Sequence, residues 1–529
     1  MTRHVPVVII GAGPTGTTAA IMLAQRGIEC LVLDRWPEVY PLPRAVHFDD
    51  EVFRVFADLG IAEQVRAISR PALGMQLVDT QLRVLAEFTR DPSGRIHGYP
   101  QANMFDQPDL ERVLRDRLAE LPRAELRGDV EVFAIDQVPG GPAPVRVRYR
   151  DLTTGTERAV WADAVLGCDG ANSVTRARIG AETEDLGFSQ QWLVVDAHSP
   201  QPLPGYDGVQ QVCDPDRAAT FMMVTPGRYR WEFRLRPDEQ PDELTEAQII
   251  GLIRPWLGTV DPDKLTLLRR TWYTFRGAIA DRWRAGRVFL LGDAAHLTPP
   301  FIGQGMCAGI RDAANLTWKL ALVLTGRADD RLLSTYEAER RPYARRVVRM
   351  AILVGWLMTG GTARTARVRR AVLRTATRLP GVERRALDVA WPAFAAGPLT
   401  ARRDRAAGRL CPQPRVRVDS GDLPLDQVLG SGFAIVSRRD DVAAFDPATR
   451  AYFDALDTRV VPCDDRDGTL TALLDRAGAD ALLVRPDRVI AASADRPDLR
   501  GWRRLLEAAG ISGPTSPRAT TGTRSIYPT

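Results

Sequence analysis

The chain has 529 residues, 45% of them hydrophobic, with 71 basic against 66 acidic side chains and a formal charge of +5. That length exceeds one hydrophobic core and implies two or three domains with room to bury a large cofactor, and the near balance of charge argues against a nucleic-acid-binding stripe. Six scattered cysteines without a CxxC pair, and five histidines without ligand spacing, leave no metal site and no dithiol centre.

In chain order, Val5 to Ile10 (VPVVII) reads as a strand buried on both faces, running directly into GAGPTG and a helical TTAAIMLAQRG. The strand begins so near Met1 that no secretory signal is expected, which suits a cytoplasmic protein. Gly11 permits the tight turn, Gly13 lets the backbone approach a pyrophosphate, Gly16 allows close helix–strand packing, and the helix N-terminus offers N–H groups to phosphates. A second strand, IECLVLD, ends at Asp34, whose carboxylate suits ribose hydroxyls. This order predicts a dinucleotide site for either NAD or FAD.

Further along, ADAVLGCDGANSVTRARIG carries another apolar strand to Asp169, and Ser173 is placed to cap a short helix bearing Arg176. The piece suits a position near a pyrophosphate, and equally a capped structural turn. TFMMVTPGRYRWEFRLR, from Thr220 to Arg236, predicts a hairpin about Pro226-Gly227 with one dry face. Met223, Trp231, Phe233 and Leu235 on that face read either as the lining of a substrate cavity or as core.

Arg287 to Leu291 (RVFLL) then forms a buried strand with Gly292-Asp293 at its C-terminal end, where open α/β sheets put their ligands. Pro299 and Pro300 stiffen the connection, and Gly303 and Gly305 clear side chains from the start of the helix MCAGIRDAANLTWKLALVL. A nicotinamide dinucleotide needs no second clamp on a late strand, whereas FAD does, because its ribityl chain and isoalloxazine extend across the sheet. The apolar run from Met350 to Met358 falls short of the roughly 20 residues of a spanning helix and reads as a buried helix, so no membrane is expected. After an arginine-rich helical stretch, GFAIVSR, TRVVPCD, LTALLDRAG and DALLVRPDRVIAA predict a β-β-α-β domain from about residue 405 to 510, and residues 511–529 read as a flexible tail.

With LLGDAAHLTPP, GCDGANSVTR, PRAVHFDDE and FDQPDLERVL in hand, the stretch from Val5 to Met358 resembles the single-component FAD-dependent aromatic hydroxylases, the para-hydroxybenzoate hydroxylase-like flavoprotein monooxygenases. The 3-(3-hydroxyphenyl)propionate hydroxylases and polyketide-tailoring hydroxylases of antibiotic biosynthesis look most similar. The resemblance implies an α/β fold. A Rossmann-like FAD-binding domain (residues 1–75, 100–185 and 275–400) would be interleaved with a β-sheet substrate domain (76–99 and 186–274) that roofs the active site. The segment from 405 to 510 is similar to the thioredoxin-like domain of these enzymes, without CxxC and suited to packing or a possible homodimer.

Residue by residue, the resemblance implies that Asp34 and Arg35 hold the adenosine end, that Arg44 and Gln107 lie against FAD, and that Asp293 binds the ribityl chain or pyrophosphate. Pro300 would lie at the reactive edge, and Gly305 and Met306 would present backbone groups to the pyrimidine ring. Cys307 departs from the family, which usually has asparagine there. His47 is the base candidate for a phenolic proton, a satisfied loop histidine being the other reading. The implied reaction takes NAD(P)H and O₂, passes through a flavin C4a-hydroperoxide and hydroxylates an aromatic small molecule. The alternatives are Baeyer–Villiger or rearrangement chemistry on a polyketide quinone, and a non-catalytic flavin- or quinone-binding protein. The absence of a second glycine fingerprint leaves NADH or NADPH open.

Overall fold

A computed structural model describes residues 3–42, 44–94, 96–138, 143–240, 244–360, 393–395, 397–419, 421–438, 447–495 and 499–512. The arginine-rich stretch expected after Gly360, and nearly all of the expected tail, lie outside these residues. The described residues fall into two compact units, one containing the residues up to Asn315 and those from Arg340, the other Leu316–Glu339 with those from Ala393 onward.

The first unit holds two eight-stranded sheets. Five strands of one run parallel, in the order Val288–Leu290, Glu157–Gly167, Arg3–Ile10, Cys30–Leu33 and Ala124–Arg127. Val5, Val7, Val8 and Ile9 are wholly buried, as a β-branched run covered on both faces must be. Register decides what this sheet can do. Ile10 is level with both Leu33 and Gly167, and Gly167 with Leu290, so the strands end at one edge. Three turns far apart in the chain, GAG, GCDG and LGD, therefore emerge side by side.

The second sheet is antiparallel apart from one pair and runs His296–Leu297, Thr266–Ala280, Thr183–His198, Arg228–Arg234, Ala219–Thr225, Val209–Val212, Gly74–Val78 and Val84–Thr89. Its central hairpin is the predicted one, turning at Pro226-Gly227. Helix Glu246–Ile253, opened by a Thr245–Gln248 capping box, contributes Ile249 and Ile253 to a core with Phe221, Tyr229, Trp231 and Phe233. A three-stranded sheet joins His47–Phe48 to Asn103–Phe105 and Ser69–Pro71.

In the second unit a four-stranded sheet runs Arg459–Pro462, Ala434–Ser437, Ala481–Val484 and Ile490–Ala494, its first pair parallel and the others antiparallel. Two details differ from the sequence expectation. Helix Pro447–Asp454 intervenes between the first two strands, and DALLVRPDRVIAA is not one strand but a hairpin, because Pro486 cannot donate to a ladder. The resulting β-α-β-α-β-β-α order is thioredoxin-like. Lys319 and Arg485 both pair with Glu339, at 2.7 Å each, and Arg485 also pairs with Asp487 at 2.6 Å, so four charges shielded from water satisfy one another. Among the described residues no helix is long and apolar enough to cross a membrane, and no cluster of side chains has a metal-ligand arrangement.

Candidate FAD site

The first turn is built for a close backbone approach. Gly11 has φ +102°, and a Cβ there would lie 2.3 Å from the Cys168 carbonyl oxygen, while a Cβ on Gly16 would lie 2.0 Å from the Gly11 oxygen. Both positions are closed to any side chain. Gly13, which precedes helix Pro14–Gln25, instead faces open space, with nothing within 4 Å of an added Cβ. A helix N-terminus opening on a gap that a side chain would obstruct fits a pyrophosphate. The Asp34 carboxylate accepts the N–H groups of Ala12 and Trp36, fixing it beside the turn, while Arg35 is exposed over the Trp36 ring.

Arg44 is exposed, its guanidinium 4.7 Å from the Tyr40 ring centre, and its loop is held at two points. Arg230 donates to the Arg44 carbonyl at 2.7 Å, and Gln107 Oε1 accepts the Ala45 N–H at 2.6 Å. Gln107 Nε2 donates in turn to Glu111, so both ends of its amide are committed to positioning this loop. Burial raises the Glu111 carboxyl, with Gln107, Arg115 and Arg44 opposing the rise. Asp293 reaches solvent but is walled by protein, and that desolvation raises its carboxyl, with His296 and Arg44 opposing. Arg44 thus acts electrostatically on Glu111 and on Asp293 at the late turn, joining the clamps into one site.

The turn after Pro300 is anchored by two acids of the PRAVHFDDE stretch and by Gln304 and Arg311. Asp49 caps helix Asp50–Asp58 through the Val52 N–H and also accepts from Gln304 and Arg311, while Arg311 reaches Glu51 and Gln304. Burial pushes Asp49 up, but the Arg311 guanidinium together with the hydrogen bonds from Val52 and Gln304 more than offsets it and holds it below the usual carboxylate range. Gly303 has φ +64°, and a Cβ there would lie 2.6 Å from His47 Nδ1. His47 Nδ1 lies 3.3 Å from the Gly303 carbonyl, which can only accept, so this nitrogen carries the hydrogen and Nε2 is left unprotonated. Desolvation lowers the His47 pKa against the opposing pull of Asp49, which favours the neutral ring. Pro300 and Met306 are half-buried, and Gly305 opens helix Gly305–Leu324. The Cys307 thiol contacts the His47 and Gly303 carbonyls at 3.9 and 3.6 Å, in place of an asparagine amide.

Asp169 accepts from the Ser173 hydroxyl and from the N–H and hydroxyl of Thr175, and Ser173 caps helix Val174–Arg178. Arg176 then donates to the Ala294 carbonyl at 3.1 Å, tying this turn to the Asp293 turn. Beneath them Asp312 gathers the Gly292 N–H, His296 and Arg340.

The substrate candidates lie elsewhere. Met223, Trp231 and Phe233 pack with Trp256 and Ile249 on the helix-covered face of the second sheet. Arg230, which reaches the Arg44 loop, projects from the opposite face, as alternation along a strand requires. That face is the one turned toward the clamps, and none of Met223, Trp231 and Phe233 lies on it.

Gly13 facing a gap at a helix N-terminus, Asp34 beside it and Asp293 at the same sheet edge together fit an extended flavin dinucleotide. The FAD binding domain family profile matches residues 4–351, and the HcaD C-terminal domain profile residues 408–509. The chain is 34% identical to a probable NADH-specific resorcinol 4-hydroxylase of Rhodococcus jostii (strain RHA1), over 98% of each protein. It is 32% identical to a 3-(3-hydroxy-phenyl)propionate/3-hydroxycinnamic acid hydroxylase of Burkholderia cenocepacia (strain HI2424), over 95% of this chain and 96% of that one. Among solved structures it is similar to OxyS anhydrotetracycline hydroxylase from Streptomyces rimosus, with a TM-score of 0.77 at 26% identity over 97% of this chain and 100% of that one. The fold is also that of the flavin-dependent monooxygenase PieE, with a TM-score of 0.79 at 24% identity over 96% and 98% of the two chains. The chain belongs to the FAD-dependent aromatic hydroxylases, a family of flavoprotein monooxygenases.

Proposed function

We propose that the protein hydroxylates a small single-ring phenol, with NADH as reductant. The observation that carries this reading is similarity above 30% identity, over nearly the whole chain, to enzymes named for resorcinol and for 3-hydroxyphenylpropionate. The polyketide-acting neighbour OxyS is more distant, at 26%. FAD, when bound, would supply the redox chemistry that couples NADH oxidation to the use of O₂.

The chain's own residues bind, orient and handle the proton. Gly13 and the helix behind it would take the pyrophosphate, Asp34 the adenosine ribose, and Asp293 the ribityl chain. The N–H groups of Gly305 and Met306, at a helix N-terminus, favour negative charge on the pyrimidine edge. Arg44 balances charge between Glu111 and Asp293. His47, neutral with Nε2 unprotonated, is suited to take the phenolic proton and so raise the ring's nucleophilicity.

The test is FAD-loaded protein with NADH, O₂ and a panel of phenols. The expected result is phenol-stimulated NADH oxidation with a product heavier by one oxygen atom. No stimulation by any aromatic compound would sink the reading.

A further inference from the structure

On the face of the second sheet turned toward the Arg44 loop, three polar side chains stand in a row across neighbouring strands. Gln211 pairs with Thr220, and Thr220 with Glu232. They are only 1%, 3% and 6% exposed, which removes water as their ready partner. Gln211 Oε1 and Thr220 Oγ1 have no hydrogen-bond partner, although buried polar atoms nearly always find one. The row lies on the face of the sheet that meets the Pro300 turn and the Arg44 loop. Gln211 Nε2 donates to the Phe301 carbonyl at 2.7 Å, next to Pro300, and Arg230, two residues before Glu232 on the same face, holds the Arg44 carbonyl.

The surrounding charges are already matched. Arg230 is paired with Asp196 at 2.7 Å, and Arg269 lies 3.8 Å from the same carboxylate. Arg234 donates to the Pro215 and Thr359 carbonyls, and Arg228 pairs with Asp106. Burial pushes the Glu232 carboxyl up to about 7, with Arg230 pulling it down and Asp196 adding to the rise. Gln211 Oε1 and the ionised Glu232 carboxylate can only accept, the Thr220 hydroxyl can accept or donate, and no uncommitted cation stands beside them, so the row favours a ligand that donates. A phenolic O–H does so, whereas a carboxylate only accepts and would face an ionised Glu232.

We propose that Gln211, Thr220 and Glu232 form a hydroxyl-binding row that takes a ring hydroxyl of an uncharged phenol and disfavours carboxylate-bearing aromatics, an inference that rests on the hydroxylase reading above. The ionised carboxylate makes the stronger, charge-assisted hydrogen bond, so affinity for the phenol weakens as Glu232 takes up a proton.

The experiment titrates resorcinol and 3-(3-hydroxyphenyl)propionate into oxidised FAD-loaded enzyme at pH 6 and pH 8, reading binding from the flavin absorbance. Wild type is expected to bind resorcinol the tighter of the two, and several-fold more weakly at pH 6 than at pH 8. In Glu232→Gln, resorcinol affinity falls roughly tenfold at pH 8 and the pH dependence vanishes. Thr220→Val, nearly isosteric, weakens resorcinol without altering its pH profile, and it carries the test should Glu232→Gln not fold. His47 remains in both variants and is the control: a pH 6 to pH 8 affinity ratio unchanged from wild type in Glu232→Gln but abolished in His47→Gln overturns the proposal, as do variants that bind like wild type. Tighter binding of the carboxylate-bearing phenol by wild type overturns the selectivity while leaving the hydroxylase reading intact. Absence of binding and turnover with every phenol overturns both.

Discussion

His296 Nε2 lies 2.8 Å from Asp312 Oδ2, and the same carboxylate receives Arg340 at 2.8 Å on its other oxygen, with all three side chains shut off from water. Burial alone would raise Asp312, but Arg340 and then His296 more than compensate, and its pKa falls below the usual range. Because Oδ2 also accepts the Gly292 N–H, the pair sets the backbone that presents Asp293. Asp312→Ala removes the carboxylate that faces the buried Arg340 guanidinium, at a cost of about 3–5 kcal/mol. The expectation is a large loss of stability in urea unfolding together with loss of bound FAD. A variant with wild-type stability would refute this account of the turn.

Two glycines of one motif give opposite expectations. A Cβ at Gly16 would meet the Gly11 oxygen at 2.0 Å, whereas one at Gly13 meets nothing within 4 Å. Gly16→Ala should fail to fold or lose several kcal/mol, in the range of an overpacked core. Gly13 has φ −70°, which alanine adopts freely, so Gly13→Ala should keep its apo stability within about 1 kcal/mol yet bind FAD more weakly. Equilibrium dialysis of FAD alongside thermal melts of the apo proteins separates the two. Equal FAD affinity in Gly13→Ala and wild type would place the pyrophosphate elsewhere.

The sheet edge was legible because each turn announces itself locally: an apolar strand stops at a glycine and a carboxylate, and parallel register does the rest. The brace beneath it was not. Arg311 and Asp49 are 262 residues apart, and neither differs in sequence from an ordinary surface charge. The polar face of the second sheet drew no candidate for another reason. Alternation in RYRWEFR separates Trp231 and Phe233 from Arg230 and Glu232, but parity cannot tell which face meets the cofactor when both are covered. Charged residues inside an apolar hairpin were the available signal, since Arg230 and Glu232 are buried and a charge is rarely buried without a task.

The placement of Trp231 makes that distinction testable. It is wholly buried against Phe221 and Tyr229, in a core cluster that includes Trp256. Trp231→Ala should cost about 3–5 kcal/mol, as large-to-small core changes do. Its effect should fall on stability rather than on discrimination among phenols, so kcat/KM ratios across a substrate panel should match wild type at a temperature where the variant is folded. A change in those ratios larger than that from Thr220→Val would return Trp231 to the substrate pocket.

His47 gives a pH dependence whose sign follows from its environment. Desolvation lowers its pKa below 6.5 despite the opposing pull of Asp49, so between that lowered value and about 6.5 the unfolded chain binds more protons than the folded one. Stability therefore declines as pH falls through this window, and above it the group adds no slope. His47→Gln cannot be protonated there, and its melting temperature should drop less between pH 7.5 and pH 5.5 than that of wild type. As proton acceptor for the phenol, His47 should also matter to turnover, with hydroxylation in His47→Gln slowed by on the order of 10²-fold. Wild-type turnover in that variant, with the stability slope removed as expected, would leave His47 as a residue that only supports the Gly303 turn.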